Sequence, residues 1–159
     1  MNTICCFTGH RHLPLSQITD IQGAIRLCVF HLLKQGVTTF RTGGAIGFDT
    51  LATEILFKLR DTHPEMRVEL FYPFEAFYAH WSREQIAHYH RLFSQFDRTI
   101  CVCDTIHPPS EAYFKRNRRL VDGARYCVAY CNRKRSGTAC TIRYAREQGC
   151  HIINLADGT

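Results

Sequence analysis

Short apolar runs alternate along the chain with longer stretches in which apolar and polar residues are mixed at helical spacing. Residues 3–7 form a run of strand length, whereas residues 15–35 repeat apolar side chains at helical spacing. The same reading predicts six strands, at residues 3–7, 37–41, 68–72, 98–103, 125–131 and 151–155, and five helices, at residues 15–35, 49–60, 82–96, 110–121 and 138–148. Strands that alternate with helices are typical of βαβ units. We therefore predict one α/β domain over residues 1–159, a Rossmann-like three-layer fold with a mostly parallel central sheet.

Length and composition agree with a single folded domain. The chain has 159 residues, of which 45% are hydrophobic and 21% charged. The amino terminus lacks the pattern of a signal peptide, and no apolar run approaches the roughly 20 residues that cross a bilayer. We expect a cytoplasmic protein without a membrane contact, and homodimerisation is plausible.

The nine cysteines are read as free thiols in a reducing compartment, many of them buried. Their count is odd, and many fall inside apolar runs. Neither Cys101 with Cys103 nor Cys127 with Cys131 has the spacing of a zinc knuckle. We expect no metal and no cofactor.

The formal net charge is +6, with basic clusters at residues 115–119 and 133–135. Such clusters are usually solvated faces, but a positive field favours anionic ligands of any size.

Three loops that follow predicted strands share small, polar chemistry, namely residues 8–11, 42–49 and 136–138. The carboxyl ends of parallel strands form the ligand crevice of an open α/β sheet. Glycine lets backbone amides approach an anion, and a helix amino terminus adds its dipole. The three loops together predict a phosphate-binding cleft, although any one of them alone would be an ordinary turn.

The glycine loop at residues 42–49 matches neither the G-x-G-x-x-G fingerprint nor a Walker A loop, because no Gly-Lys-Ser/Thr is present. NAD dehydrogenases and P-loop NTPases are therefore disfavoured.

Individual side chains in these loops have competing interpretations. Asp49 can cap helix amides or accept a hydrogen bond from a ribose hydroxyl. Arg11 can hold a phosphate in a bidentate contact, whereas His10 is as consistent with a structural role.

For the remaining candidate residues, a structural role is favoured over a functional one. Asn117 and Asp122 can satisfy local backbone, and their five-residue separation does not place them on one helical face. Trp81 and Tyr89 are more typical of a core than of a base-stacking site. Cys140 has Arg143 and Arg146 at helical spacing, but a nucleophilic role is not favoured.

The chain resembles the YpsA-like proteins of the SLOG superfamily, Rossmann-like relatives of the DprA and LOG proteins. The resemblance is carried by the segments 7–11, 44–49 with Ala52, 72–74 with Trp81, Gln85 and Tyr89, 114–117 with Val121 and Asp122, and 137–138 with Ala145. It implies a SLOG domain that binds a nucleotide-derived ligand, as a sensor or as an enzyme.

The LOG motif P-G-G-x-G-T-x-x-E is not reproduced. Aligned on Gly137 and Thr138, this chain has Arg133, Lys134 and Arg135 in place of Pro-Gly-Gly and Thr141 in place of the glutamate. Phosphoribohydrolase activity of the LOG kind is therefore in doubt.

Three functional hypotheses follow. The first is binding of a nucleotide or nucleotide-derived small molecule at Thr8, Gly9, His10, Arg11, Gly43, Gly44, Gly47, Asp49, Asn117, Gly137 and Thr138. The second is hydrolysis of an N-glycosidic or phosphate bond, with Asp49 or Asp122 as acid or base. The third is binding of single-stranded nucleic acid by Arg116, Arg118, Arg119, Arg133, Lys134 and Arg135.

Overall fold

Six parallel strands form one sheet in the order β4-β3-β2-β1-β5-β6. The computed structural model describes residues 3–104 and 108–156. The strands are β1 (Thr3–Gly9), β2 (Val37–Thr42), β3 (Arg67–Tyr72), β4 (Arg98–Cys101), β5 (Tyr126–Tyr130) and β6 (His151–Asn154). The helices are α1 (Ile18–Lys34), α2 (Phe48–Thr62), α3 (Arg83–Phe93), α4 (Pro109–Val121) and α5 (Gly137–Glu147). The predicted α/β fold is confirmed, with a sheet that is parallel throughout the described residues.

The two faces of the sheet carry separate apolar layers. Alternate residues of β1 point to opposite faces, so that Phe7 packs in the layer containing α1 and α2, whereas Cys6 packs in the layer containing Leu120 of α4 and Ala145 of α5. Helices therefore cover both faces, as a buried parallel sheet requires.

Several predicted boundaries differ from the observed ones by a few residues. Residues 15–17 form a 3₁₀ turn before α1, and α2 begins at Phe48, one residue before the predicted start. Helix α3 ends at Phe93 instead of residue 96, because Ser94 and Gln95 side chains both donate to the carbonyl of Arg91 and so compete with the helical pattern. The predicted capping box at the start of α3 is present, since Ser82 and Gln85 exchange side-chain and backbone hydrogen bonds.

All nine cysteines are free thiols. The buried ones are Cys5, Cys6, Cys103, Cys127 and Cys150, which agrees with the predicted role in the core, but Cys101 and Cys140 are exposed. Within residues 3–104 and 108–156, no helix is long and apolar enough to cross a membrane.

Candidate functional site

The strand order places a crevice between β1 and β5. Connections from β1 through β4 run towards one edge of the sheet, and α4 then crosses back so that β5 lies on the other side of β1. The loops that follow β1 and β5 diverge from this switch point, which is where open α/β sheets bind ligands. Two hydrogen bonds join these loops, from the His10 amide to the Tyr130 carbonyl at 3.2 Å and from the Asn132 amide to His10 Nε2 at 3.0 Å.

A cleft of about 330 Å³ opens at this point. It brings together predicted site residues from three loops and from α4, namely Thr8, Gly9, His10, Arg11, Asp49, Asn117, Gly137 and Thr138. It also includes Ala45 and Ser136 from the predicted loops, and residues that the sequence did not assign to a small-ligand site, namely His12, Tyr113, Arg116, Leu120 and Arg133.

Asp49 lies in the first turn of α2 and is 6% exposed. Its Oδ2 accepts a hydrogen bond from the Ala45 amide at 3.1 Å. Its Oδ1 is buried and has no hydrogen-bond partner, the one such side-chain atom in the part of the chain that the structure describes. A buried polar atom without a partner costs about 1–3 kcal/mol, so a ligand donor that reaches Oδ1 would recover that free energy.

Burial and the neighbouring groups shift the pKa of Asp49 in opposite directions. Burial raises the pKa of Asp49 from 3.8 to about 6, although the nearby guanidinium of Arg116, the Ala45 amide, Arg11 and the Gly43 amide favour the ionised form. The loss of hydration therefore outweighs the neighbouring donors and cations, and the pKa of the Asp49 carboxyl group stays above its usual value.

Two backbone amides of the glycine loop and of the start of α2 have partners within the protein. The Phe48 amide donates to the carbonyl of His10 at 3.1 Å, and the Ala45 amide donates to Asp49. These amides are already satisfied, and the carboxylate of Asp49 occupies the position that an anion would take at the start of α2. These two amides are therefore not free for a ligand, and phosphate binding at Gly43, Gly44 and Gly47 stays a prediction.

Close packing accounts for the glycines. A Cβ atom at Gly47, where φ is +81°, would lie 2.3 Å from the carbonyl oxygen of Arg11, and one at Gly44 would lie 2.7 Å from Leu70. Gly43 lies against the guanidinium of Arg116 and the carboxylate of Asp49.

The amino terminus of α5 also borders the cleft. Ser136 caps this helix by accepting a hydrogen bond from the Ala139 amide at 3.1 Å. Gly137 and Thr138 form the first turn beside the cleft, where the helix dipole favours negative charge. Arg11 and Arg133 also line the cleft.

His10 has a structural role in this cleft. It is 4% exposed, and its Nε2 accepts the Asn132 amide, which requires that nitrogen to be unprotonated. Burial, followed by the charge of Arg133, lowers the pKa of His10. The ring therefore fixes the loop after β5 as a neutral group.

Arg116 is the main residue whose burial the sequence did not predict. We grouped it with exposed basic residues for nucleic-acid binding, but it is 5% exposed. It donates from Nη1 to the Gly43 carbonyl at 2.5 Å and from Nε to Asn117 Oδ1 at 2.8 Å. Ala112 and Leu120, four residues to either side, are also buried, and this helical spacing was the available signal.

Asp122 is not brought to the cleft. It follows the carboxyl end of α4, its Oδ1 accepts a hydrogen bond from the Tyr144 hydroxyl, and its carbonyl accepts one from Arg41. Since α4 begins near the ligand edge of the sheet and runs away from it, Asp122 and Asn117 are separated, and only Asn117 lines the cleft.

Trp81 and Tyr89 belong to an aromatic cluster around Phe77. Their ring centroids lie 5.4 Å from that of Phe77 in edge-to-face arrangements. The packing role favoured from the sequence agrees with these contacts. Both residues also border a second cavity next to the cleft.

A parallel sheet with its ligand crevice at the β1–β5 switch point defines the class, a Rossmann-like domain. Residues 5–149 match the family model YpsA, described as the YspA SLOG family, and the chain belongs to that family. It is 31% identical over 129 residues to a UPF0398 protein of Streptococcus mutans, covering 76% of this chain and 72% of that protein. It is 29% identical over 80 residues to a UPF0398 protein of Halalkalibacterium halodurans, covering 50% of this chain but only 42% of that protein.

Two solved structures share the fold. DNA processing protein A (DprA) from Streptococcus pneumoniae superposes with a TM-score of 0.67 at 17% identity, covering 99% of this chain and 53% of that one. The Helicobacter pylori DNA processing protein A superposes with a TM-score of 0.65 at 16% identity, covering 94% of this chain and 63% of that one, and its description concerns single-stranded DNA binding. The chain thus spans about half to two thirds of these larger proteins.

Proposed function

We propose that the cleft binds a nucleotide or a nucleotide-derived small molecule. The anionic end of the ligand would lie against the start of α5 and the guanidinium groups of Arg11 and Arg133, all of which line the cleft. A sugar hydroxyl would donate to Asp49. The observation that carries this proposal is the buried Oδ1 atom of Asp49, which lacks a partner within the described residues although Asp49 borders the cleft.

The test is thermal denaturation against a panel of nucleotides, NAD, ADP-ribose and cyclic dinucleotides. A ligand at 100 times its Kd adds about 2.7 kcal/mol to the free energy of unfolding, so binding gives a clear rise in Tm. The Asp49→Asn variant should fold and lose the shift, because the amide cannot replace the carboxylate as an acceptor at both oxygens. Asp61→Asn, at an exposed position of the same helix, should keep it. Absence of a shift with every compound would contradict the proposal.

The same mixtures separate a sensor from a hydrolase. Asp49, with a pKa near 6, is the carboxyl group in the cleft that suits acid–base chemistry at neutral pH. Chromatography of the incubated ligand would reveal a released base or phosphate if turnover occurs. A ligand that binds and stays intact supports a sensor.

Single-stranded nucleic acid is the second candidate, and one surface feature favours it. Phe114 is 51% exposed, and the guanidinium of Arg118 lies 4.4 Å from the centroid of its ring and 4.9 Å from that of Tyr144. These residues line a groove between α4 and α5 that joins the cleft at Tyr113 and Asn117. Exposed aromatic and guanidinium planes beside basic residues are typical of single-strand binding.

Salt dependence and one variant test this candidate. Binding of an oligothymidylate should weaken as salt rises, with log K falling by roughly 0.7 per phosphate contact for each unit of log salt. Phe114→Ala should weaken binding about 5- to 150-fold, since stacking contributes about 1–3 kcal/mol per base. Leu27→Ala, at another exposed apolar position, is the control. An affinity for the oligothymidylate that changes neither with salt nor in Phe114→Ala would contradict single-strand binding at this groove.

A further inference from the structure

A second cavity of about 380 Å³ lies on the other side of the glycine loop from the cleft. Neighbouring residues at the loop and the start of α2 border different spaces. Ile46 and Thr50 border the second cavity, whereas Ala45 and Asp49 border the cleft. The glycine loop is therefore a thin partition, and the absence of side chains at Gly44 and Gly47 keeps it thin.

The two spaces meet at one edge. Arg11 and His12, which are both exposed, line the cleft and the second cavity alike. Arg11 also lies over the ring of Tyr113 on the cleft side, 5.0 Å from its centroid. A single ligand that lies against Arg11 and His12 can therefore place one part in each space.

The chemistry of the second cavity differs from that of the cleft. Its walls are largely apolar and aromatic, with Ile46, Leu51, Trp81 and Phe96 among them. A flat ring would bury its faces against such walls, while Arg11 and His12 stand at the edge shared with the cleft.

Polar groups at the rim suit the edge of such a ring. The Gln85 side chain uses its oxygen to accept the Ser82 amide, so its NH₂ group is the part that can donate. His88 is held by Glu54, with 2.7 Å between Nε2 and Oε1. Apolar faces combined with a few polar edge groups match a nucleobase better than a lipid chain or a simple anion.

We propose that this second cavity takes the nucleobase of the same ligand whose phosphate lies at the start of α5. The inference rests on the proposed function and deepens it, since it assigns the two ends of the ligand to two spaces on either side of the glycine loop. It also gives Trp81 a position against the base.

Trp81 is the single tryptophan of the chain, so its fluorescence reports on this cavity alone. The probes are AMP, GMP, CMP, UMP and ribose 5-phosphate, with binding measured by calorimetry and emission recorded in the same titration. We expect at least one nucleoside monophosphate to bind tenfold or more tightly than ribose 5-phosphate and to change the emission. Ribose 5-phosphate should bind without that change.

A variant pair localises the effect. Ile46→Ala should weaken binding of the preferred nucleotide about tenfold and leave the affinity for ribose 5-phosphate unchanged. Leu27→Ala, exposed on α1, should alter neither affinity, and the Tm of each variant checks its fold.

The outcomes separate this inference from the proposed function. If all five probes bind equally and the emission does not change, the cleft alone binds them and the second cavity is not the base site. If neither these five probes nor any compound of the wider nucleotide panel binds, the proposed function itself fails.

Discussion

Asp49 combines burial, an unpaired oxygen and a position in the first turn of a helix. An acidic residue there is ordinarily explained by capping and by the helix dipole, and Oδ2 does accept the Ala45 amide. Capping does not account for Oδ1, which is buried without a partner among the described residues. The cost of that arrangement is why we assign Asp49 to a ligand as well as to the fold.

The pH dependence of stability tests the environment of Asp49. Its native pKa of about 6 lies above the value of 3.8 expected when unfolded, so the native state binds the proton more tightly. The resulting stabilisation is fully present below about pH 4 and is lost as pH rises through about 6. At about 1.4 kcal/mol per pKa unit, the loss for this buried group amounts to about 3 kcal/mol.

Urea denaturation of the wild-type protein and of Asp49→Asn between pH 4 and pH 8 measures this loss. The difference in unfolding free energy between them should shift by about 2–3 kcal/mol in favour of the variant as pH rises. Asp61→Asn should show no comparable shift, because Asp61 is exposed. A constant difference between wild type and Asp49→Asn would mean that Asp49 is not perturbed.

At the level of elements, the glycine loop packs the first two βα units against each other. Gly47 has φ of +81° and lies against the backbone of Arg11, while the next residue, Phe48, donates its amide to His10. The loop after β1 and the start of α2 are therefore locked together, and this contact shapes both cavities.

Two glycine substitutions should have opposite effects on stability. Gly47→Ala should destabilise the protein by about 2 kcal/mol or more, because its Cβ would collide with backbone at a positive φ. Gly23→Ala, inside α1 with nothing within 4 Å of the added Cβ, should stabilise it by about 0.5–1 kcal/mol. Tm values of the two variants provide the measurement. Similar Tm values for Gly47→Ala and wild type would show that the loops are not in close contact.

At the scale of the whole molecule, the nine thiols divide by exposure. Cys101 and Cys140 are exposed, Cys28 and Cys131 are partly exposed, and Cys5, Cys6, Cys103, Cys127 and Cys150 are buried. The pKa of Cys101 is raised, first by withdrawal of its thiol from water and then by the nearby Glu75. Because the thiolate is the reactive form, Cys101 should react more slowly than its exposure suggests.

Titration with DTNB in the native protein should therefore label Cys140 first, then Cys101, and the five buried thiols only after unfolding. Cys140→Ser should remove the fastest phase and leave the later ones in place. Rapid labelling of all nine thiols in the native protein would contradict the buried layers.

The sequence predicted the elements well because their signals are local. Apolar runs and helical repeats located each strand and helix to within a few residues, and the Ser82–Gln85 capping box was read from four residues. Errors arose where side chains compete with the regular pattern, as Ser94 and Gln95 do at the end of α3.

The structure brings several of the predicted site residues together, and it adds residues that the sequence did not point to. Loops after successive strands were expected to meet, and Thr8, Arg11, Asp49 and Gly137 do line one cleft. The sequence could not show that Arg116 turns inward to Gly43, because it lies in a run of basic residues that otherwise face solvent.

The sequence by itself determined the order of strands and helices, the family and the edge of the sheet where the loops collect, since each depends on local periodicity or on short motifs. Only the tertiary structure decided which charges are buried, why the glycines are required and that a second cavity lies behind their loop. Those properties depend on residues distant in sequence, such as Asp49 and Arg116, and their burial and pairing are set by the packing of α2 and α4 around the sheet.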